Sequence, residues 1–367
     1  MFEPLKRNLI PLFEKAVTHK FFSGAAVGIS LSTGIKRKNF IECYGKTAYS
    51  SNEIITPLSL FDLASLTKPL ATAITFLCLV NEKKISLEDS LDLYFDTKFS
   101  PDNKSDIKIK HLLGHCSGLP AYKTYYKELA KYPFRERKKI ICKWILSEKL
   151  EFIPQKKTLY SDLGYILLDS IVEKKTGTSL EKYLQHSFPE MYGKSELLLF
   201  NPLQKNIKNC VATEFCSERR KLLCGEVHDE NTFYVGGVSG QAGLFGSVKS
   251  VLNITSKILD MWAGIEKNKN IDNNTLKLFL ETKNVAKSSW VLGFDTPSEG
   301  YTSSGRYLDK RSVGHLGFSG TSFWIDPERE VVIVLLTNRI HPTRENNSIR
   351  EFRPLFHDTV IESLGLQ

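Results

Sequence analysis

The sequence predicts an α/β fold: one antiparallel sheet assembled from both ends of the chain, flanked by terminal helices, with a mainly helical domain inserted between its halves. Three observations predict it. Strand-like segments fall near the two termini, at 25–31, 39–44, 322–325 and 331–337. The stretch from Ser65 to about Leu184 carries apolar residues at helical spacing. The run from Val331 to Thr337 is almost continuously apolar, as expected of a strand covered on both faces. The expected boundaries are 1–75 with 235–367 for the discontinuous α/β domain and 76–234 for the insertion.

In chain order, Leu5, Ile10, Leu12, Phe13, Ala16 and Val17 mark a first amphipathic helix. Ser32-Thr33-Gly34 supplies the turn between the first two strands. Helices are expected over 67–82, 107–113, 125–130, 136–147 and 163–175. Thr178-Ser179-Leu180-Glu181 reads as a capping box that opens another. The glycine-rich segment Gly236-Gly237-Val238-Ser239-Gly240-Gln241-Ala242-Gly243 lacks the G-x-x-x-x-G-K-[ST] pattern of a phosphate loop. Its glycines are read as letting backbone approach closely beneath a pocket. A helix over 249–263 follows. Asp326-Pro327-Glu328-Arg329 turns between the last two strands, and a helix over 349–364 closes the chain.

Composition narrows the function classes. The chain has 367 residues, 41% hydrophobic and 25% charged, as a soluble globular protein does. The net charge of +9 is spread over helix faces and loops, so no nucleic-acid partner is expected. The 7 cysteines form no C-x-x-C pair and no disulfide framework, and no His cluster has metal spacing. No metal or cofactor is expected. The N-terminus shows no export signal, and the apolar stretches are read as shorter than the ~20 residues that span a bilayer. The chain is therefore read as cytoplasmic, without a membrane span. Its oligomeric state is not legible.

Three Ser-x-x-Lys strings occur: Ser65 to Lys68, Ser105 to Lys108 and Ser179 to Lys182. A serine three residues before a lysine on a helix puts hydroxyl and ammonium on one face, which suits a nucleophile with a cationic partner. The Ser179 string is explained by its helix start. The Ser105 string lies in a polar stretch, 101–110, read as an exposed loop. Ser65-Leu66-Thr67-Lys68 alone has companions. Tyr160-Ser161-Asp162 offers a phenol that a nearby ammonium makes easier to ionise, or else a surface tyrosine before a helix cap. His315-Leu316-Gly317, followed by Phe318, reads either as a loop before a strand or as an edge strand lining a cleft. No G-x-S-x-G is present. His115 and Ser117 are read as turn residues, His228 and Asp229 as loop-ordering residues, and Cys116 as having no base partner.

These three motifs in this order resemble the serine β-lactamase and penicillin-binding-protein superfamily, and within it the class C β-lactamase-related serine hydrolases. That branch includes DD-carboxypeptidases, esterases, D-amino-acid peptidases and amide hydrolases. Gly-His-Cys-Ser-Gly-Leu-Pro at 114–120, Gly-Glu-Val-His-Asp at 225–229, Gly-Gln-Ala-Gly-Leu-Phe at 240–245 and Leu-Leu-Thr-Asn-Arg-Ile-His-Pro at 335–342 add to the likeness. The resemblance implies Ser65 as acylated nucleophile, and Lys68 as holder of the proton network that keeps Tyr160 ionisable. Tyr160 would be general base or proton donor. The backbone N–H groups of Ser65 and Phe318 would form the oxyanion hole, and Gly317 would leave room for substrate. It implies a small ester, amide or D-amino-acid peptide as substrate. The alternatives are a penicillin-binding DD-carboxypeptidase or β-lactamase, or a non-catalytic ligand-sensing or self-assembling member.

Two departures stand out. Asp162 occupies a place where many members carry Asn; an ionised Asp only accepts hydrogen bonds, or it pairs with Lys68 and raises that lysine's pKa. His315 stands where β-lactamases usually carry lysine, and a partly charged histidine would hold a substrate carboxylate weakly and in a pH-dependent way.

Overall fold

The computed structural model describes residues 2–34, 36–98, 100–102, 104–193, 195, 197–300 and 302–367. Ten strands are present among them: β1 Gly24–Ser32, β2 Arg37–Gly45, β3 Phe61–Asp62, β4 Leu198–Phe200, β5 Ala212–Cys216, β6 Lys221–Cys224, β7 Leu244–Gly246, β8 Val313–Leu316, β9 Ser322–Asp326 and β10 Val331–Thr337. The main sheet is antiparallel, in the order β2-β1-β10-β9-β8, so strands from the two ends of the chain meet at its centre. Val27 sits opposite Leu335 and Ile29 opposite Ile333.

Period-two alternation explains why both central strands are apolar throughout. Ala25, Val27, Ile29, Val331, Ile333 and Leu335 pack with Leu5, Leu9 and Phe13 of the helix Glu3–Thr18 and with Phe352, Phe356 and Val360 of the helix Ile349–Leu364. Ala26, Val332, Val334 and Leu336 face the other way, into a core shared with the helix Val248–Trp262 and the central helices. At Gly28 the last of these helices comes so close that a Cβ would lie 2.9 Å from Val248 Cγ2. The mixed α/β architecture with an antiparallel sheet is therefore the one expected.

The helices Arg137–Ser147, Asp162–Thr176 and Leu180–Ser187 stand where periodicity places them. Three local readings need correction. The last of these helices is capped by Ser179, whose side chain accepts from Lys182 N–H, so the cap falls one residue later than a Thr178 capping box requires. The stretch 101–110 is not a plain exposed loop. Lys104–Asp106 form a 3-10 turn, Ile107 and the Lys104 side chain are buried, and a helix begins at Ile109; Asn103 lies outside the described residues. The third correction bears on the site. The stretch expected as one α-helix over 67–82 is a 3-10 turn at Ala64–Leu66, a π-helix at Lys68–Ala73 and an α-helix only at Ile74–Asn81.

By length and composition, the 18 residues Ala64–Asn81 could cross a membrane, which the sequence reading did not anticipate. They are 78% buried inside the protein, as its central helix. Two smaller sheets complete the chain. In the order β3-β7-β4 the first joins the strand before Ser65 to the end of the glycine-rich segment, and β5-β6 form a hairpin. Neither sheet was legible, because strands of two to five residues carry no periodicity to read.

Candidate active site

Ser65 follows β3 through a turn that is strained and doubly tied. Ala64 adopts a left-handed φ of 47°, which a residue with a Cβ rarely does. Its N–H donates to Asp62 Oδ1 at 2.8 Å. The Asp62 carbonyl accepts from Ser319 Oγ at 2.6 Å, and that of Leu63 from Thr321 Oγ1 at 3.1 Å. The nucleophile turn is thus fastened to the hairpin between β8 and β9. The 3-10 turn holding Ser65 runs on into the π-helix that begins at Lys68, and this brings the lysine back to the serine. Its Nζ lies 3.1 Å from Ser65 Oγ. The same Nζ is 2.6 Å from Asp162 Oδ1 and 3.1 Å from the Gln241 carbonyl.

The glycine-rich segment makes that last contact possible. A Cβ on Gly240 would lie 2.1 Å from the Tyr165 carbonyl, so only glycine lets this backbone pass beneath the cleft. Thr72 Oγ1 donates to the Gly240 carbonyl at 2.7 Å. Ser161 is the N-cap of the helix Asp162–Thr176, and its N–H donates to His115 Nδ1 at 3.1 Å. This sets Tyr160 just before the helix and Asp162 at its first position. The Tyr160 ring is packed by His115 at 4.5 Å, Trp290 at 5.3 Å and His315 at 5.9 Å between centroids. The Ser65 side chain lies close enough to influence its hydroxyl, and Lys68 Nζ stands 4.8 Å from its ring centroid.

One cleft of about 650 Å³ is lined by Ser65, Tyr160, Asp162, His315, Gly317 and Phe318 together. Sequence expectation and structure therefore agree on which residues gather. The stretches 121–137 and 288–311 contribute Ala121, Tyr122, Trp290 and Asp295 to the cleft wall; Tyr301 lies outside the described residues. The other two Ser-x-x-Lys strings do not line it. β8 is the edge strand of the main sheet, and a Cβ on Gly317 would fall 2.7 Å from the Leu63 carbonyl. Among the described residues, no hydrogen bond engages the backbone N–H of Ser65 or Phe318.

The electrostatics revise three expectations. Lys68 is completely buried, and desolvation pulls its pKa below the usual lysine value despite Asp162's opposing pull. The pairing with Asp162 was anticipated; its net outcome was not. Tyr160 is pushed well above an ordinary phenol, by burial first and then by the Asp162 charge, with the Ser65 side chain acting the other way. It is a neutral hydroxyl here, not the readily ionised phenol expected beside an ammonium. His315 is held down to about 3, by burial first and then by Lys68. Its Nδ1 lies 2.8 Å from the Leu316 carbonyl, so Nδ1 carries the proton and donates, while Nε2 is buried without a partner. It is a neutral ring, not a partly charged grip for a carboxylate.

Sequence reasoning missed Asp62, Trp290 and the support role of His115. Asp62 is buried and accepts the N–H groups of both Ala64 and His228, the latter at 2.7 Å. His115, read as a turn residue, has a φ of 54° and packs on Tyr160. The string 114–120 was the only signal for it. His228 stacks on Phe318 at 5.6 Å, and Asp229 caps the short helix Glu230–Tyr234 while accepting from Gln241 Nε2 at 3.2 Å. Both do order the cleft wall. Cys116 is buried with its thiol pushed up to about 11, which makes it a poor nucleophile. Among the described residues no group of three His, Cys, Asp or Glu side chains is arranged to hold a metal ion.

The beta-lactamase family model matches residues 13–356. The chain belongs to the beta-lactamase family. It is 32% identical over 305 residues to an Escherichia coli K12 protein named "Putative D-alanyl-D-alanine carboxypeptidase", covering 77% of this chain and 70% of that one. It is 34% identical over 311 residues to the N-acetylmuramyl-L-alanine amidase of Bacillus subtilis 168, covering 77% and 68%. Among solved structures, EstCE1, described as a hydrolase with promiscuous acyltransferase activity, superposes with a TM-score of 0.76 at 16% identity over 98% of both chains. The octameric penicillin-binding protein homologue of Pyrococcus abyssi superposes with a TM-score of 0.74 at 18% identity, over 99% of this chain and 77% of the other. At such identities these two likenesses speak for the fold. The beta-lactamase-family chain thus has both the family's sequence pattern and its architecture.

Proposed function

We propose that this member of the family is a serine hydrolase that works through an acyl-enzyme on Ser65, on a small ester, amide or D-amino-acid peptide. The observation that carries the reading is the 3.1 Å contact between Ser65 Oγ and a buried lysine whose pKa is pulled down. A lysine in that state spends more time as a free amine and can accept the serine proton. Oγ attacks the substrate carbonyl as its proton passes to Lys68 Nζ. The backbone N–H groups of Ser65 and Phe318 receive the oxyanion, each worth ~3–4 kcal/mol of barrier. Collapse breaks the bond to the leaving group, which takes a proton from the neutral Tyr160 hydroxyl. The protonated Lys68 Nζ, 4.8 Å from the Tyr160 ring centroid, then returns the serine proton to the phenolate. Water then repeats the sequence on the acyl ester and frees Ser65. Burial serves both steps: it frees the amine and keeps the phenol protonated.

The names of the carboxypeptidase and amidase relatives support an amide or peptide substrate. They also favour the second reading, a penicillin-binding DD-carboxypeptidase. The neutral His315 removes one cation that would hold a substrate carboxylate, which supports uncharged esters and amides over β-lactams. The seven unpaired cysteines support a reducing compartment such as the cytoplasm. The test is turnover of p-nitrophenyl butyrate, a D-alanyl-D-alanine peptide and a cephalosporin by the wild type and by Ser65→Ala. The reading expects ester or amide hydrolysis that the substitution abolishes. Hydrolysis that survives it would overturn the assignment of Ser65 as nucleophile, and turnover of none of these substrates would return the non-catalytic alternative.

A further inference from the structure

The Gly317–Phe318 peptide is held from behind. Its carbonyl, on Gly317, accepts Arg353 Nη2 at 3.0 Å and the Gly320 N–H at 3.0 Å. In a trans peptide N–H and C=O point in opposite directions, so the Phe318 N–H faces away from Arg353. Arg353 comes from the helix Ile349–Leu364 and is only 7% exposed. The same Nη2 also reaches the Thr321 carbonyl at 2.8 Å, so one guanidinium spans the turn between β8 and β9.

It does so without a counter-ion. Among the described residues no carboxylate pairs with Arg353, and its Nε is buried without a hydrogen-bond partner. Burial, reinforced by the neighbouring Arg339, pulls its pKa down to about 9. An uncompensated buried cation is costly to keep, and a neutral donor could satisfy two carbonyls.

We infer that Arg353 is a positioning residue for acyl transfer: its guanidinium fixes and polarises the Gly317–Phe318 peptide, strengthening the Phe318 N–H as a donor to the oxyanion. A charged donor on a peptide carbonyl draws electron density through the amide and makes the opposite N–H a better donor. Arg353 also borders the cleft, and its positive charge adds to the field where negative charge develops. Arg353 makes and breaks no bond in the reaction. The inference rests on the acyl-enzyme reading above.

The test compares Arg353→Met and Arg353→Gln with wild type. Four quantities are read: kcat/KM and KM for p-nitrophenyl butyrate, the Ki of an arylboronic acid that forms a tetrahedral adduct on Ser65, and the Ki of butyrate. Removing a whole oxyanion donor costs about 10²–10³ in rate, so weakening one should lower kcat/KM by about tenfold to hundredfold. The boronate Ki should rise by the same factor, while KM and the butyrate Ki stay within about threefold. Folded variants with wild-type kcat/KM and boronate affinity overturn the inference, as does an equal loss of butyrate affinity. Arg353→Lys, which leaves a charge in the core, reports where the neutral variants do not fold. It should lose less than about tenfold, and a folded but inactive Lys variant also overturns the inference. Failure of the wild type to acylate on Ser65 would instead remove the hydrolase reading itself.

Discussion

Asp162 Oδ1 lies 2.6 Å from Lys68 Nζ, closer to it than Ser65 Oγ at 3.1 Å. The lysine therefore sits between a carboxylate that favours its charge and a protein interior that disfavours it, and burial is the larger effect. In the acylation step only the free amine accepts the serine proton. Asp162 tunes how far below the ordinary lysine range that amine becomes available.

Asp162→Asn removes the upward pull and leaves the burial in place. The free amine then persists to lower pH, so the acid limb of kcat/KM for an ester substrate should move to lower pH. A limb that moves to higher pH, or stays where it was, would show that some group other than Lys68 governs it.

His315 makes the opposite kind of prediction, a titration that does not occur. Its folded pKa of about 3 lies below the ordinary histidine value, so the ring stays neutral from pH 8 down to pH 5. The imidazole carbon-bound proton resonance, assigned by comparison with His315→Gln, should not move across that range. An inflection near pH 6.5 would restore the charged grip that sequence reasoning favoured.

Ala64 offers a stability test. A left-handed residue with a Cβ costs about 1–2 kcal/mol, and glycine's extra chain entropy costs about 0.5–1 kcal/mol. Ala64→Gly should therefore raise the unfolding free energy in urea, by up to about 1.5 kcal/mol. A loss of stability would mean that the Ala64 methyl packs for more than the turn costs.

The larger features of this protein are legible because they repeat. Alternation along 25–31 and 331–337 announces two central strands, and the spacing of apolar residues announces most helices. The first motif is legible as chemistry, but its backbone is not: nothing in Ser65-Leu66-Thr67-Lys68 foretells a 3-10 turn running into a π-helix. Signs of charge are less legible still. A lysine, a tyrosine and a histidine carry only context-free pKa values in a sequence, whereas here burial moves all three, and each in the direction of its neutral form. Asp62 and Arg353 escaped notice because one lies in a two-residue strand and the other on a helix near the far end of the chain. Only the folded sheet brings them to the two sides of one turn.

The central claim is that Ser65 is the activated nucleophile. Incubation with a fluorophosphonate, followed by intact-mass measurement and peptide mapping, reads this directly. The account predicts a single adduct on the peptide that carries Ser65 in the wild type and none in Ser65→Ala. An adduct of equal yield in Ser65→Ala, or one mapped to a different residue, would contradict it.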